Sequence, residues 1–371
     1  MRILFAAVGA HGHVYPLLPL ATAAAQAGHA VAFATGEAMF GTLRTAGIEA
    51  YKAGMAPGTA FERAKRGRPV PVPDDQIPDV VSTVFGDILP RTTFATVKPV
   101  IERFGADLVI AEIGNPGAWF AAEYLGVRAM AHTYGRVTSN PLTQLIADRT
   151  GKVAADIGVT GSVPYLDICP ESLQDRDFMA SAQRIVLRPV GWSDPADELP
   201  PIALTHTRPL VYVTLSSAEA ADAAMLRAVV EGVSSLPVDV LVSSGSTATE
   251  IIEPAENVHL RTWVPQSTLM PHVDLLVHHG GAGTMLNAFA AGVPQLVLAD
   301  PHGAEQGIAE TALASGAGDR MAQSDVTASS IRARAEALLA SASARAAAAR
   351  LSEEIAAMPS PEQVVRTLEE R

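Results

Sequence analysis

Seven consecutive residues, His278-His279-Gly280-Gly281-Ala282-Gly283-Thr284, stand between an apolar run that reads as a buried strand and an Ala-containing stretch that reads as a helix. Glycines at such a junction let the backbone come close to a ligand. The unpaired N–H groups at the helix start, aided by the helix dipole, attract an anion. A phosphate or diphosphate is the natural occupant, and a tight turn without a ligand is the alternative. Proton removal is the second candidate chemistry. His13 follows the apolar run 3–8, and Glu112 follows another, 107–111. A histidine whose tautomer is fixed by a carboxylate can accept a proton from a weak acid and hold the charge that results. The competing readings are a turn-stabilising histidine and a solvated acid at a strand end, and His11 is a rival to His13.

Both sets of residues need a sheet to position them. The strand 3–8 leads through a glycine-rich turn to an Ala-rich helix over 14–27 and then, after Gly28, to a strand over 30–35. That is a β-α-β unit, the building block of a parallel sheet. The rhythm recurs at 107–111, followed by Asn115-Pro116-Gly117, a helix through Tyr124, a stop at Gly126 and a strand over 128–132. Open parallel sheets bind ligands beyond the carboxyl ends of their strands, so His13 and Glu112 fall on one edge. A second set of strands is predicted at 210–215, 238–243, 258–263, 275–278 and 295–298, with a helix over 218–236. Residues 55–88, rich in Pro, Gly and Asp, are expected to be loops with at most a short helix. Five prolines crowd into 187–209, a density that suits an interdomain linker. The Ala- and Arg-rich stretch 330–358 predicts a helix, and Pro361 opens a last one.

The chain has 371 residues, which favours two domains and a cleft between them. With 48% hydrophobic and 18% charged residues, it has ample material for burial and no signature of disorder. A net charge of −12, with no basic patch, argues against nucleic acid and anionic membranes as partners. The single cysteine, Cys169, fits a reducing compartment. No apolar run reaches the ~20 residues of a spanning helix, so a soluble, cytoplasmic protein is expected.

The context of the glycine-rich loop carries a resemblance. Trp263-Val264-Pro265-Gln266 precedes it, and Gly292-Val293-Pro294 and then Pro301-His302-Gly303-Ala304-Glu305-Gln306 follow. In this order and spacing the segment resembles the donor signature of the family 1 nucleotide-sugar glycosyltransferases of the two-Rossmann (GT-B) type, especially the actinobacterial enzymes that glycosylate natural products. Gly12-His13 with Pro16 is similar to that family's amino-terminal Gly-His-x-x-Pro turn. The resemblance implies two doubly wound α/β domains facing each other across a cleft. An acceptor domain would span 1–188, a linker 189–208, and a donor domain 209–355, with 356–371 returning to the first domain as a helix.

It also implies roles, residue by residue. Trp263 would stack on the pyrimidine and Gln266 would contact the base or sugar, with Ser217 and Val264 beside them. His279 would donate to the diphosphate, joined by Gly281, Ala282, Gly283 and Thr284 at the helix start, while His278 is read as packed. Glu305 and Gln306 would hold the transferred sugar, Glu305 standing where the family usually has Asp. Trp263 as core and Glu305 as a solvated acid are the alternatives. Asn287 replaces a glutamate that in many relatives grips both ribose hydroxyls, which points to a deoxyribose donor, a TDP-sugar over a UDP-sugar. His13 would be the base and Glu112 its partner in a single inverting displacement.

No metal is expected, since helix-start N–H groups can stabilise the departing diphosphate. Asp74-Asp75 and Asp175-Arg176-Asp177 are read as surface acids. A lipophilic acceptor would be lined by His11, Met55, Phe61, Phe85, Trp119 and Tyr134, each of which could instead belong to the core. A homodimer is compatible with this reading. The rival functions are a nucleotide-sugar epimerase or hydrolase, and a non-catalytic nucleotide-sugar-binding partner that would have no use for His13.

Overall fold

Short apolar runs, too brief for core helices and rich in Val, Ile, Leu and Ala, pair side by side into two parallel sheets. The computed structural model describes residues 1–215, 223–245, 255–300 and 306–370. The chain divides into one unit of Met1–Arg188 with Pro359–Arg371 and another of Pro189–Met358.

In the first unit the strands are β1 (Arg2–Ala6), β2 (Ala30–Thr35), β3 (Glu49–Lys52), β4 (Leu108–Glu112), β5 (Arg128–His132), β6 (Tyr165–Asp167) and β7 (Arg184–Val186). They lie in the order β3-β2-β1-β4-β5-β6-β7, all pairs parallel. The winding reverses between β1 and β4, where Ala6 is level with Ala111. At such a switch point the loops leaving two neighbouring strands part to opposite faces and open a crevice at their carboxyl ends. One face of the sheet packs on the helices Leu89–Phe104 and Pro116–Tyr124, with Leu4, Ala6, Val109, Ala111 and Trp119 in the core. The helix Pro361–Glu369 packs on the helix Leu18–Gln26 and so completes this unit from the far end of the sequence.

In the second unit the strands are β8 (Leu210–Thr214), β9 (Asp239–Ser243), β10 (Val258–Arg261), β11 (Leu275–His278), β12 (Gln295–Ala299) and β13 (Gly318–Ala322). Their order is β10-β9-β8-β11-β12-β13, again parallel throughout. The switch point falls between β8 and β11, and His278, the last residue of β11, is level with Thr214.

Three expectations change. Residues 55–88 are largely helical: a helix Pro57–Lys65, a helix Ile77–Thr83 and a π-helical turn Val84–Ile88 that runs into the helix Leu89–Phe104. Pro57 and Pro78 sit in first turns, where a missing N–H costs little. The proline-rich stretch is folded onto the second unit, where Ala203, Leu199 and Ile202 pack with Leu210, Tyr212 and Val264. The helix read over 330–358 is two, Ala328–Ala340 and Ala342–Ala357, parted where the Ser341 side chain caps the second by accepting the Ala344 N–H.

Candidate active site

At the switch point of the first unit, β1 ends and residues 11–14 turn at once into a helical turn that carries His13. The loops behind β1 and β2 touch backbone to backbone, since a Cβ on Gly9 would lie 2.8 Å from the Gly36 Cα. Glu112 is the final residue of β4 and is 0% exposed. A carboxylate in that position must be compensated. One oxygen accepts the Val8 N–H at 3.2 Å, and the other accepts the Gly114 N–H at 2.5 Å. The curl back onto residue 114 favours glycine, because a Cβ there would lie 2.9 Å from that second oxygen and Glu112 would have to shift.

His13 Nδ1 lies 3.0 Å from Glu112 Oε1, an ion-pair contact that is not aligned as a linear hydrogen bond. The imidazole keeps 25% of its side-chain surface. Burial alone would pull its pKa down, but the Glu112 carboxylate beside it outweighs burial and holds it above its ordinary value. With Nδ1 turned to the carboxylate, Nε2 is the nitrogen left to accept a proton.

Aromatic rings surround this imidazole. Phe85, on the π-helical turn, lies nearly parallel to it at 6.5 Å, and Tyr134 meets it edge-on at 6.0 Å. Phe61 stands edge-on to Phe85 at 6.1 Å, and Met55, Phe61 and Phe85 pack on one apolar cluster with Val8, Val80 and Leu89. His11 is edge-on to Tyr15, and burial lowers its pKa. Trp119 stands apart from them: it is buried in the core between sheet and helices, and its indole N–H is donated to the Gly161 carbonyl at 3.1 Å. The structure does not group it with the rings around His13, because its helical position faces the core. His132, which the sequence reading passed over, is in register with Glu112 on β5. It is fully buried, neither ring nitrogen has a partner among the described residues, and burial pushes its pKa down to about 4 against the pull of Thr133 and Glu112.

In the second unit, β11 runs into the loop His279–Gly281 and the helix Ala282–Ala290. Gly280 has φ +99°, a conformation that favours glycine. Gly281 stands at the N-cap and, being glycine, brings no side chain of its own to cap the helix start of Ala282, Gly283 and Thr284. His279 and Thr284 both approach Gly281, since a Cβ there would meet Nε2 of one and Oγ1 of the other at 3.4 Å.

Trp263 is 45% exposed and so is not core; its indole N–H is donated to Asp197 at 3.1 Å, which fixes the ring plane. Val264 beside it is buried. Both polar atoms of Gln266 have internal partners: Oε1 accepts from the Thr284 hydroxyl at 3.2 Å, and Nε2 donates to the Tyr212 hydroxyl at 3.2 Å. The Asn287 amide oxygen is turned onto Gly191, where a Cβ would collide with it. Gln306 opens the helix Gln306–Ala314 and donates to Glu310 at 3.0 Å. Ser217 and Glu305 lie outside the described residues.

Among the described residues no group of three or more His, Cys, Asp or Glu side chains could hold a metal ion. Asp74 and Asp75 are exposed, and Asp175 caps the helix Arg176–Ser181 by accepting the N–H groups of Asp177 and Phe178. No described helix is long and apolar enough to cross a membrane.

Residues 227–371 match the family described as Erythromycin biosynthesis protein CIII-like, C-terminal domain. The chain is 30% identical to the elloramycin glycosyltransferase ElmGT of Streptomyces olivaceus, over 99% of this chain and 97% of that one. It is 28% identical to the L-demethylnoviosyl transferase of Streptomyces niveus, over 99% and 97%. The solved structure of the Streptomyces sp. SF2575 glycosyltransferase SsfS6, complexed with thymidine diphosphate, matches 100% of both chains with a TM-score of 0.83 at 25% identity. Two parallel-sheet Rossmann-like units and full-length likeness to antibiotic glycosyltransferases lead to one conclusion: the chain belongs to the actinobacterial natural-product glycosyltransferases of the GT-B type.

Proposed function

We propose that this glycosyltransferase moves a sugar, with inversion, from a TDP-sugar to a hydroxyl of a lipophilic natural-product acceptor. The observation that carries the mechanism is the His13–Glu112 contact of 3.0 Å at the carboxyl edge of the first sheet. His13 Nε2 takes the acceptor's hydroxyl proton as that oxygen forms its bond to the anomeric carbon. The bond from the anomeric carbon to the phosphate oxygen breaks, and its electron pair leaves with the diphosphate. Glu112 fixes the tautomer and balances the imidazolium. On the second unit, the helix start at Ala282–Thr284 with His279 receives the diphosphate, and Trp263 offers its ring to the base.

TDP as the nucleotude carrier is supported by the thymidine diphosphate in SsfS6 and by Asn287, which offers no carboxylate to a pair of vicinal hydroxyls. Met55, Phe61, Phe85 and Tyr134 give the acceptor an apolar, aromatic lining. The donor set requires no metal for charge neutralisation, and the enzyme is read as cytoplasmic and metal-independent.

One experiment tests both halves. Calorimetry is expected to show TDP binding more tightly than UDP, and His13→Ala is expected to abolish transfer to an alcohol while leaving TDP affinity within a few-fold. Tighter binding of UDP would remove the deoxyribose argument, and an active His13→Ala enzyme would move the base to His11.

A further inference from the structure

We propose that His278 is a positioning residue for donor binding, whose neutral imidazole clamps Gly280 and so shapes the loop that His279 and the helix start present to the diphosphate. The inference rests on the reading of that loop as the diphosphate site and assigns the two adjacent histidines separate tasks.

His278 is the last residue of β11 and is 0% exposed. Its Nδ1 accepts the Gly280 N–H at 3.2 Å, and its Nε2 lies 2.9 Å from Gln295 Oε1. Gln295, the first residue of β12 and equally buried, donates its Nε2 to the Met285 carbonyl at 3.4 Å. Only one assignment of protons satisfies these contacts. A backbone N–H can only donate, so Nδ1 must be the acceptor and Nε2 must carry the hydrogen. Gln295 then has to turn its oxygen to His278 and its NH2 to Met285. The chain of contacts links the end of β11, the loop, the start of β12 and the helix Ala282–Ala290.

A protonated His278 would have no acceptor for Gly280. Burial, with a smaller contribution from His279, keeps the ring neutral by pushing its pKa down to about 3. His279, partly exposed at the loop, is the histidine placed to answer an anion's charge. Gly280 at φ +99° is the residue through which the clamp acts: its conformation sets the direction of the chain as it enters the N-cap at Gly281.

The test compares His278→Leu and His278→Asn in the full chain, with TDP affinity read by calorimetry and thymidine affinity by ligand-observed NMR. The Asn Oδ1 stands as many bonds from Cα as Nδ1 does, so it can still accept from Gly280. His278→Leu is expected to weaken TDP about 10-fold or more while thymidine stays within about two-fold, and His278→Asn to recover most of the loss. Undiminished TDP affinity in a folded Leu variant overturns the proposal, as does an equal loss for TDP and thymidine. Should the Leu variant not fold, the Asn variant decides: near-wild-type TDP affinity supports the clamp, and a 10-fold loss overturns it. Wild-type protein that binds neither TDP, UDP nor inorganic pyrophosphate removes the diphosphate site itself, and the clamp's purpose with it.

Discussion

Glu112 illustrates how one side chain sets the chemistry of another. Its carboxylate is enclosed by the backbone of Val8 and Gly114 and holds His13 charged more readily than burial would allow. Replacing it by Gln leaves the burial and removes the charge, so the His13 pKa should fall. A base works in its neutral form, and the acid limb of the kcat/KM profile should therefore move to lower pH. The rate should drop by ~10²-fold as the imidazolium loses its counter-charge. A pH profile of Glu112→Gln that keeps the wild-type limb would show that Glu112 does not act on His13. The meeting of His13 and Glu112 was legible because both follow strands that end on one edge of a parallel sheet. The place of Gly114 was not, since it comes from the path of a side chain two residues away. Gln266 shows a different limit: its contacts to Thr284 and Tyr212 depend on the spacing of β8 from the helix start, which residue type does not reveal.

The elements that place these residues were legible where they are central and apolar. β1, β2, β4, β5, β8, β9, β11 and β12 all follow from buried runs with glycine punctuation. β3, β6, β7 and β13 did not, because short strands at or near a sheet edge carry residues such as Glu49, Lys52, Arg184 and Arg320 that look like loop. Proline misled in one direction: Pro57 and Pro78 open helices that the composition of 55–88 concealed. Helix packing also hides in small residues. A Cβ on Gly117 would strike the Pro90 carbonyl, where the helix Pro116–Tyr124 crosses the helix that carries on from the π-turn. Gly117→Ala should therefore cost about 2–3 kcal/mol by forcing these helices apart. Chemical denaturation would measure it, and an unchanged midpoint would mean that the crossing relaxes freely. Because the same continuous helix carries Phe85, transfer should fall more than TDP binding.

The whole molecule carries its buried histidines as a response to acid. His132 titrates at about 4 in the fold and near 6.5 when exposed, so between those values the unfolded chain binds the extra proton. Stability must then fall as pH is lowered through that window, by up to about 3 kcal/mol from this residue. His278 acts in the same direction, its window reaching down to about 3. His13 has the opposite sign: its raised pKa contributes stability that is complete below the ordinary value and lost as pH rises through the folded one. His132→Leu should narrow the gap between melting temperatures at pH 7.5 and pH 5, and a gap as wide as wild type would acquit His132. The acidic net charge and two-domain length were plain from composition, but which histidines would be buried was not, since burial belongs to the sheet and not to the residue. The helix Pro361–Glu369 carries the last consequence. It belongs to the unit that begins the chain, and the two passages of the chain meet where the Arg188 N–H is donated to the Pro359 carbonyl at 2.8 Å. The second unit is thus an insertion within the first, and during synthesis on the ribosome the half that bears His13 must wait for all of the second unit to be made before its closing helix arrives.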